Sequence, residues 1–151
     1  MITDVTVRKL EPDDIDSALS LVWKIFMEFE APGYSEDGVN EFYKSIHDSG
    51  YVSRLVFYGA FVSGEQAGVI ATRNGGSHIA LFFVDGRFQR QGIGRKLFDA
   101  VLTDCTAEKI TVNSSPYAVP VYHRFGFTDT DTEQSVNGLR FTPMEYITGI
   151  E

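Results

Sequence analysis

The spacing of hydrophobic positions changes several times along the chain, and each change predicts an element. Val5 and Val7 alternate with polar neighbours, which predicts a short first strand. Glu11-Pro12-Asp13-Asp14 follows. Proline suits a first helical turn, and the acids suit the positive end of a helix dipole. From there Ile15, Ala18, Leu19, Val22, Ile25, Phe26 and Phe29 keep helical spacing. Ala31-Pro32-Gly33 breaks that helix. Ser35 can cap a second one, with Val39, Phe42, Tyr43 and Ile46 as its apolar face.

After Leu55 the pattern shifts to short runs separated by turn residues. Val56 to Val62, Ala67 to Thr72 and His78 to Val84 read as strands, divided by Ser63-Gly64-Glu65 and Asn74-Gly75-Gly76. Ile79 to Val84 is apolar at every position, which predicts a central strand buried on both faces and covered by helices. A helix from about Gly92 to Thr106 buries Leu97, Ala100, Val101 and Leu102. Lys109 to Asn113 is a fifth strand, and Ala118 to Phe125 a short helix. Asn137-Gly138 is a strong two-residue hairpin signal, joining strands at Thr132 to Val136 and Leu139 to Ile147. The expected architecture is α/β: one domain over residues 1–151, a mixed central sheet with helices on both faces.

Composition narrows the function. The chain has 151 residues, the size of one domain, and twelve Phe and seven Tyr can build a sizeable core. Its formal charge of −8 argues against a nucleic-acid partner, which needs a basic face. The longest strictly apolar run is six residues, Ile79 to Val84, far short of the roughly 20 that span a bilayer. Met1 to Leu10 lacks the apolar stretch of a secretory signal. No membrane partner and a cytoplasmic location are the expectations. Cys105 is the one cysteine, and neither a disulfide within the chain nor a metal cluster can be built from it alone. It reads as a buried, inert thiol.

Against this acidic background the segment from Arg87 to Lys96 stands out. Arg87, Arg90, Arg95 and Lys96 are four of thirteen cations within ten residues, at the start of a helix whose far end carries Asp104 and Glu108. A helix dipole prefers the opposite placement, by roughly 0.3–1 kcal/mol per charge. The arrangement makes sense if an anion sits at the helix start, where backbone N–H groups lack intrahelical partners. Gly92 and Gly94 would let it approach closely. The spacing excludes two nucleotide motifs. Leu97 stands where a dinucleotide-binding fingerprint needs its third glycine, and the Gly-Lys-Ser/Thr of a P-loop is absent.

Gln89-Arg90-Gln91-Gly92-Ile93-Gly94 resembles the Q/R-x-x-G-x-G/A signature of the GNAT superfamily of N-acetyltransferases, and the order of elements is similar over nearly the whole chain. Gly86 stands where proline is common in that family. The resemblance implies that Gln89 to Arg95 hold the pyrophosphate of coenzyme A. It also implies that the fourth and fifth strands splay apart beyond a bulge. The pantetheine arm would then lie beside Phe83 and Val84, where a backbone N–H can polarise the thioester carbonyl. Asn113, ending the fifth strand, reads equally as a cofactor contact or a strand cap.

Ala118 to Phe127 resembles the family's A-x-x-x-Y-x-x-x-G-F stretch and puts Tyr122 on the tyrosine that protonates the departing thiolate. By packing alone Tyr122 would read as a core residue. Glu28 and Glu30 sit where the family forms its acceptor pocket, and either can serve as base or remain a solvated acid. The expectation is acetyl transfer from acetyl-CoA to a primary amine, of a small molecule or a peptide, by direct attack in a ternary complex without metal. The alternative is a catalytically silent acyl-CoA-binding sensor or interaction module. A homo-oligomer stays open.

Overall fold

The computed structural model describes residues 4–150, so the first three residues of the segment read for a signal lie outside it. In chain order the strands are β1 (Val5–Lys9), β2 (Val56–Val62), β3 (Glu65–Arg73), β4 (His78–Val84), β5 (Lys109–Ser114), β6 (Thr128–Asp129), β7 (Gln134–Val136) and β8 (Leu139–Ile147). The helices are α1 (Ile15–Ile25), α2 (Glu36–Ile46), α3 (Ser49–Ser53), α4 (Ile93–Asp104) and α5 (Val119–Phe125). The sheet order is β1-β2-β3-β4-β5-β8-β6, with β7 paired to β8. Every pairing is antiparallel except β4 with β5.

Alternation along the strands divides the core between two faces. Val69, Leu81 and Phe83 pack under α1 and α2 with Val22, Phe26 and Ile46. Ile70, Ile110 and Val112 pack under α4 and α5 with Leu97, Phe98 and Tyr122. Phe42 bridges α2 to the first layer, stacking 4.0 Å from Phe26 and lying 5.9 Å from Phe83.

Two irregularities shape the middle of the molecule. Ala71 pairs with Leu81 but Thr72 pairs with Ile79, so Ala80 is an extra residue in β4. Ile79 therefore faces the α4 layer, while Ala80 and Leu81 both turn toward α1. Beyond the bulge β4 leaves β5. Their parallel ladder is confined to His78 with Thr111 and Ile79 with Val112. The all-apolar run of β4 is consequently covered unevenly. Leu81 and Phe83 are buried, but Ala80, Phe82 and Val84 are only partly so, because they border the opening.

The end of β4 is tied to α1. Asp85 is buried, accepts the Arg87 backbone N–H at 3.0 Å, and pairs with Lys24 of α1 at 3.3 Å and Arg87 at 3.1 Å. Burial works to raise its pKa, but hydrogen bonds from Arg87 and Lys24 outweigh it and bring the carboxyl down to about 2. A depressed carboxyl stabilises the fold above its unfolded value and loses that contribution as pH falls through the folded one. The wild-type urea midpoint is expected to drop between pH 4 and pH 2. Asp85→Asn should be less stable at pH 7 and flatter across that acid window. Parallel curves for the two proteins below pH 4 would contradict the assignment.

Several expectations needed correction. The spacing predicts one α-helix through Phe29, but the backbone opens into a π-helical turn at Phe26–Glu30 and then a 3-10 turn at Ala31–Gly33. The proline start is a 3-10 turn, Pro12–Asp14. The first hairpin strand begins at Gln134 rather than Thr132, and α3 and β6 were not foreseen. The hairpin turn itself has positive φ at both Asn137 (54°) and Gly138 (82°), the mirror-type turn its sequence calls for. Its tip lies on α2: a Cβ on Gly138 would stand 2.5 Å from Gly38 N and 2.7 Å from Ser35 Oγ.

Candidate active site

Where β4 and β5 part, two cavities enter from different sides. A groove of about 380 Å³ runs from the end of β4 past the start of α4 to α5. A second cavity of about 300 Å³ lies between α2, the end of α1 and the β7–β8 hairpin. Glu30, Phe82, Phe83, Ala118 and Tyr122 border both, so the two meet in the splay.

The groove is built on the loop before α4. Gln89 anchors it, donating to the Val84 carbonyl at 3.0 Å and accepting from the Tyr117 hydroxyl at 3.3 Å. Arg90 then takes φ 62° and Gly92 φ 84°. Left-handed residues within a turn help successive backbone N–H groups converge on an anion, and a non-glycine residue held there is a strain found mostly at functional sites. Gly92 caps α4, whose first N–H groups have no partners inside the helix. A Cβ on Gly92 would meet nothing within 4 Å. A Cβ on Gly94 would rest 3.6 Å from Phe82 and Phe125, two residues that line the groove.

Phe83, Val84, Gln89, Arg90, Gly92, Ile93, Gly94 and Arg95 all line this groove. Gln91 does not; its side chain turns back to the Arg87 carbonyl at 3.4 Å. Asn113 borders the other cavity, as does its neighbour Val112. The four cations are not equally available. Arg87 is taken up by Asp85 and Glu65, and Arg95 by Asp99 at 3.0 Å. Arg90 and Lys96 form no ion pair among the described residues. Arg124 of α5 also lines the groove, a cation that the loop-centred reading did not single out.

Tyr122 is 5% exposed, held between Phe82 and Phe127. Its hydroxyl has no hydrogen-bond partner among the described residues, yet no fully enclosed side-chain oxygen or nitrogen lacks one. The hydroxyl therefore opens toward the cavities that the residue lines. Burial, and then the charge of Glu30, push its pKa upward.

The two acids separate. Glu28 is exposed and leans over Gly86, where a Cβ would stand 3.0 Å from its Oε1 and 2.8 Å from Phe29. That crowding explains the glycine at this position. Glu30 is partly buried in the splay, and burial pushes its carboxyl up to about 7 against an opposing interaction with the Ser115 hydroxyl. Glu30 is the last residue of the π-helical turn that follows α1. Single π turns inside helices recur at functional sites.

The remaining chemistry-bearing residues lie apart from this point. His78 bonds Thr111 at 2.8 Å at the start of β4, and burial lowers its pKa to about 4. His123 pairs with Asp129 at 2.7 Å on the surface, and Cys105 is buried after α4. Among the described residues no group of His, Cys, Asp and Glu could hold a metal, and no helix is long and apolar enough to cross a membrane.

A family model described as an acetyltransferase (GNAT) domain matches residues 30–148. No curated protein matches the sequence at a significant level. Solved structures do match in fold. A GCN5-related N-acetyltransferase from Rhodopseudomonas palustris superposes with a TM-score of 0.83 at 20% identity, over 97% of this chain and 98% of that one. PaiA N-acetyltransferase from Thermoplasma acidophilum, in complex with coenzyme A, gives 0.73 at 16% identity over 96% and 99%. FeeM, an N-acyl amino acid synthase from uncultured soil microbes, gives 0.71 at 17% over 95% and 91%. At these identities the likeness shows the fold alone.

Proposed function

The chain belongs to the GNAT acetyltransferase family, and with that as premise we propose that it moves an acetyl group from acetyl-CoA to a primary amine by direct attack in a ternary complex. The observation that carries this reading is the meeting of a donor groove and a separate cavity at Glu30 and Tyr122. Acetyl-CoA is the acyl donor, a substrate. Its pyrophosphate suits the backbone N–H groups from Gln89 to Gly94, with Arg90 supplying charge. Its pantetheine arm suits the edge of β4 that has no strand partner beyond Ile79.

The bonds and protons balance without further reagents. The amine nitrogen bonds to the thioester carbonyl carbon, and the carbon–sulfur bond breaks. The amine attacks as its free base, its ammonium proton having gone to solvent. Glu30 takes the second proton as the new bond forms, and coenzyme A leaves as the thiolate. A β4 backbone N–H stabilises the charge on the carbonyl oxygen, and Tyr122 stabilises the charge on sulfur. A silent binding module has no use for a carboxyl raised to about 7 beside an unbonded phenol. Perturbed groups of that kind cluster at sites of chemistry.

Coenzyme A binding tests the donor half. A ligand at 100 times its dissociation constant adds about 2.7 kcal/mol when it binds only the native state. A clear rise in melting temperature is therefore expected with millimolar acetyl-CoA. Gly94→Val places a branched side chain against the groove wall, and Gly92→Val forces a side chain into φ 84° where the anion would approach. Both are expected to lose most of the rise. No rise in the wild type, or a full rise in both variants, would put the donor elsewhere. Acetyl transfer to a panel of amines tests the other half.

A further inference from the structure

The acceptor cavity carries a carboxylate that the transfer step does not use. Glu41 of α2 lines it, partly buried, and pairs with no cation among the described residues. Only its backbone carbonyl is engaged, by Ser45 Oγ at 3.0 Å. Among the described residues the one cation on the wall, Arg140, is already occupied. Its guanidinium bonds Glu133 at 3.1 and 3.2 Å and the Gly33 carbonyl at 3.2 Å. Phe26, Tyr34 and Phe42 make the walls aromatic. At the inner end the nine-tenths-buried Tyr122 presents an unbonded hydroxyl beside Glu30, which marks the place where the reacting group must come.

Among the described residues this cavity is acidic at Glu30 and Glu41, is walled between them by aromatic rings together with Ser45, Asn113 and Ser115, and offers no unpaired cation to a carboxylate. Resting on the transfer reading above, we infer that the acceptor is a primary amine bearing a second cationic group on an apolar spacer. The reacting amine comes to Glu30 and Tyr122, and the second cation sits at Glu41. Aromatic faces favour both the methylene chain and a cation lying over them. An α-amino acid or ω-amino acid would bring a carboxylate into a cavity whose unpaired charges are carboxylates. Like charges facing one another at close range disfavour such a partner. A plain alkylamine leaves Glu41 without a partner.

The test is calorimetric titration of the coenzyme A-loaded protein with three matched sets: diaminoalkanes of three to eight carbons, n-alkylamines, and ω-amino acids. The best diamine is expected to bind at least about tenfold more tightly than the alkylamine of equal length. That advantage should shrink as salt rises. It should collapse in Glu41→Gln, while coenzyme A still raises the variant's melting temperature. Equal affinities for diamine and monoamine would overturn the inference. So would ω-amino acids binding as tightly as diamines, or a preference that Glu41→Gln retains. Binding selectivity is read without turnover, so the two proposals fail separately. Diamine preference with no acetyl transfer sinks the transfer reading and supports only the dication-binding part of this one. Transfer without preference does the reverse.

Discussion

Replacing Tyr122 by Phe is expected to slow acetyl transfer about 10²–10³-fold while leaving melting temperature and coenzyme A affinity close to wild type. The ring keeps its edge-to-face contacts with Phe82 at 5.9 Å and Phe127 at 5.1 Å. The lost oxygen has no partner among the described residues, so no intramolecular hydrogen bond goes with it. Its chemical role follows from its pKa. Burial, and then Glu30, lift the phenol above its ordinary value of about 10. A thiol leaves with a pKa near 8.5, so complete proton transfer from this phenol to a free thiolate is uphill. A hydrogen bond held to sulfur while charge accumulates there is not. It acts from a buried ring, where such a bond is worth more than in bulk water. The expected loss is thus that of one preorganised donor. Single-turnover measurement keeps product release out of the comparison. A variant within a factor of about two of wild type would return Tyr122 to a packing role.

What the sequence made legible follows the range of the interactions involved. β2 and β4 were read to their observed ends, and the hairpin turn to its residues, because alternation and Asn-Gly act over a few positions. The loop before α4 was legible because glycines and a strand-to-helix boundary are local. α3 was missed. It is five residues long, too short for periodicity, and its local signal was Asp48, whose carboxylate accepts the Tyr51 N–H at 3.1 Å. β6 has two residues and exists through its pairing with β8.

The charges at α4 show the opposite limit. Four cations looked equivalent in sequence, yet Glu65, twenty-two positions away from Arg87, is one of two acids that neutralise it. Glu28 and Glu30 were likewise left unseparated as candidates. Two positions apart they face opposite sides of a helix, and only the tertiary fold decides which side meets the splay. Ser115, Glu41 and Arg140 reach the same cavity from three distant segments. No local pattern announces a wall assembled by the tertiary fold.

Glu30→Gln is expected to lose activity and gain stability at alkaline pH, and the two effects together distinguish a base from a solvated acid. An amine acceptor with a pKa near 10 is almost wholly protonated at neutral pH; its free-base fraction attacks, and the nitrogen that turns cationic as the bond forms must pass its remaining proton to a group. Burial brings Glu30 to about 7, where it is about half ionised at neutral pH and well matched to that task. Activity should climb through pH 7 in the wild type. In the Gln variant kcat/KM should fall by roughly 10²–10⁴-fold, and the limb near 7 should vanish, leaving the acceptor's own ionisation. Stability runs the other way. A carboxyl whose folded pKa exceeds its unfolded value near 4.3 favours the fold fully below that value. The contribution drains away as pH rises through about 7. Above that the ionised group is a burden of at most roughly 4 kcal/mol, which Gln does not carry. The variant should therefore melt higher than wild type at pH 8, with the gap closing toward pH 5. Such a gain is the expected mark of a group held in an unfavourable place for its chemistry. Survival of the pH 7 limb in the Gln variant, or identical stability curves from pH 5 to 8, would remove Glu30 from the reaction.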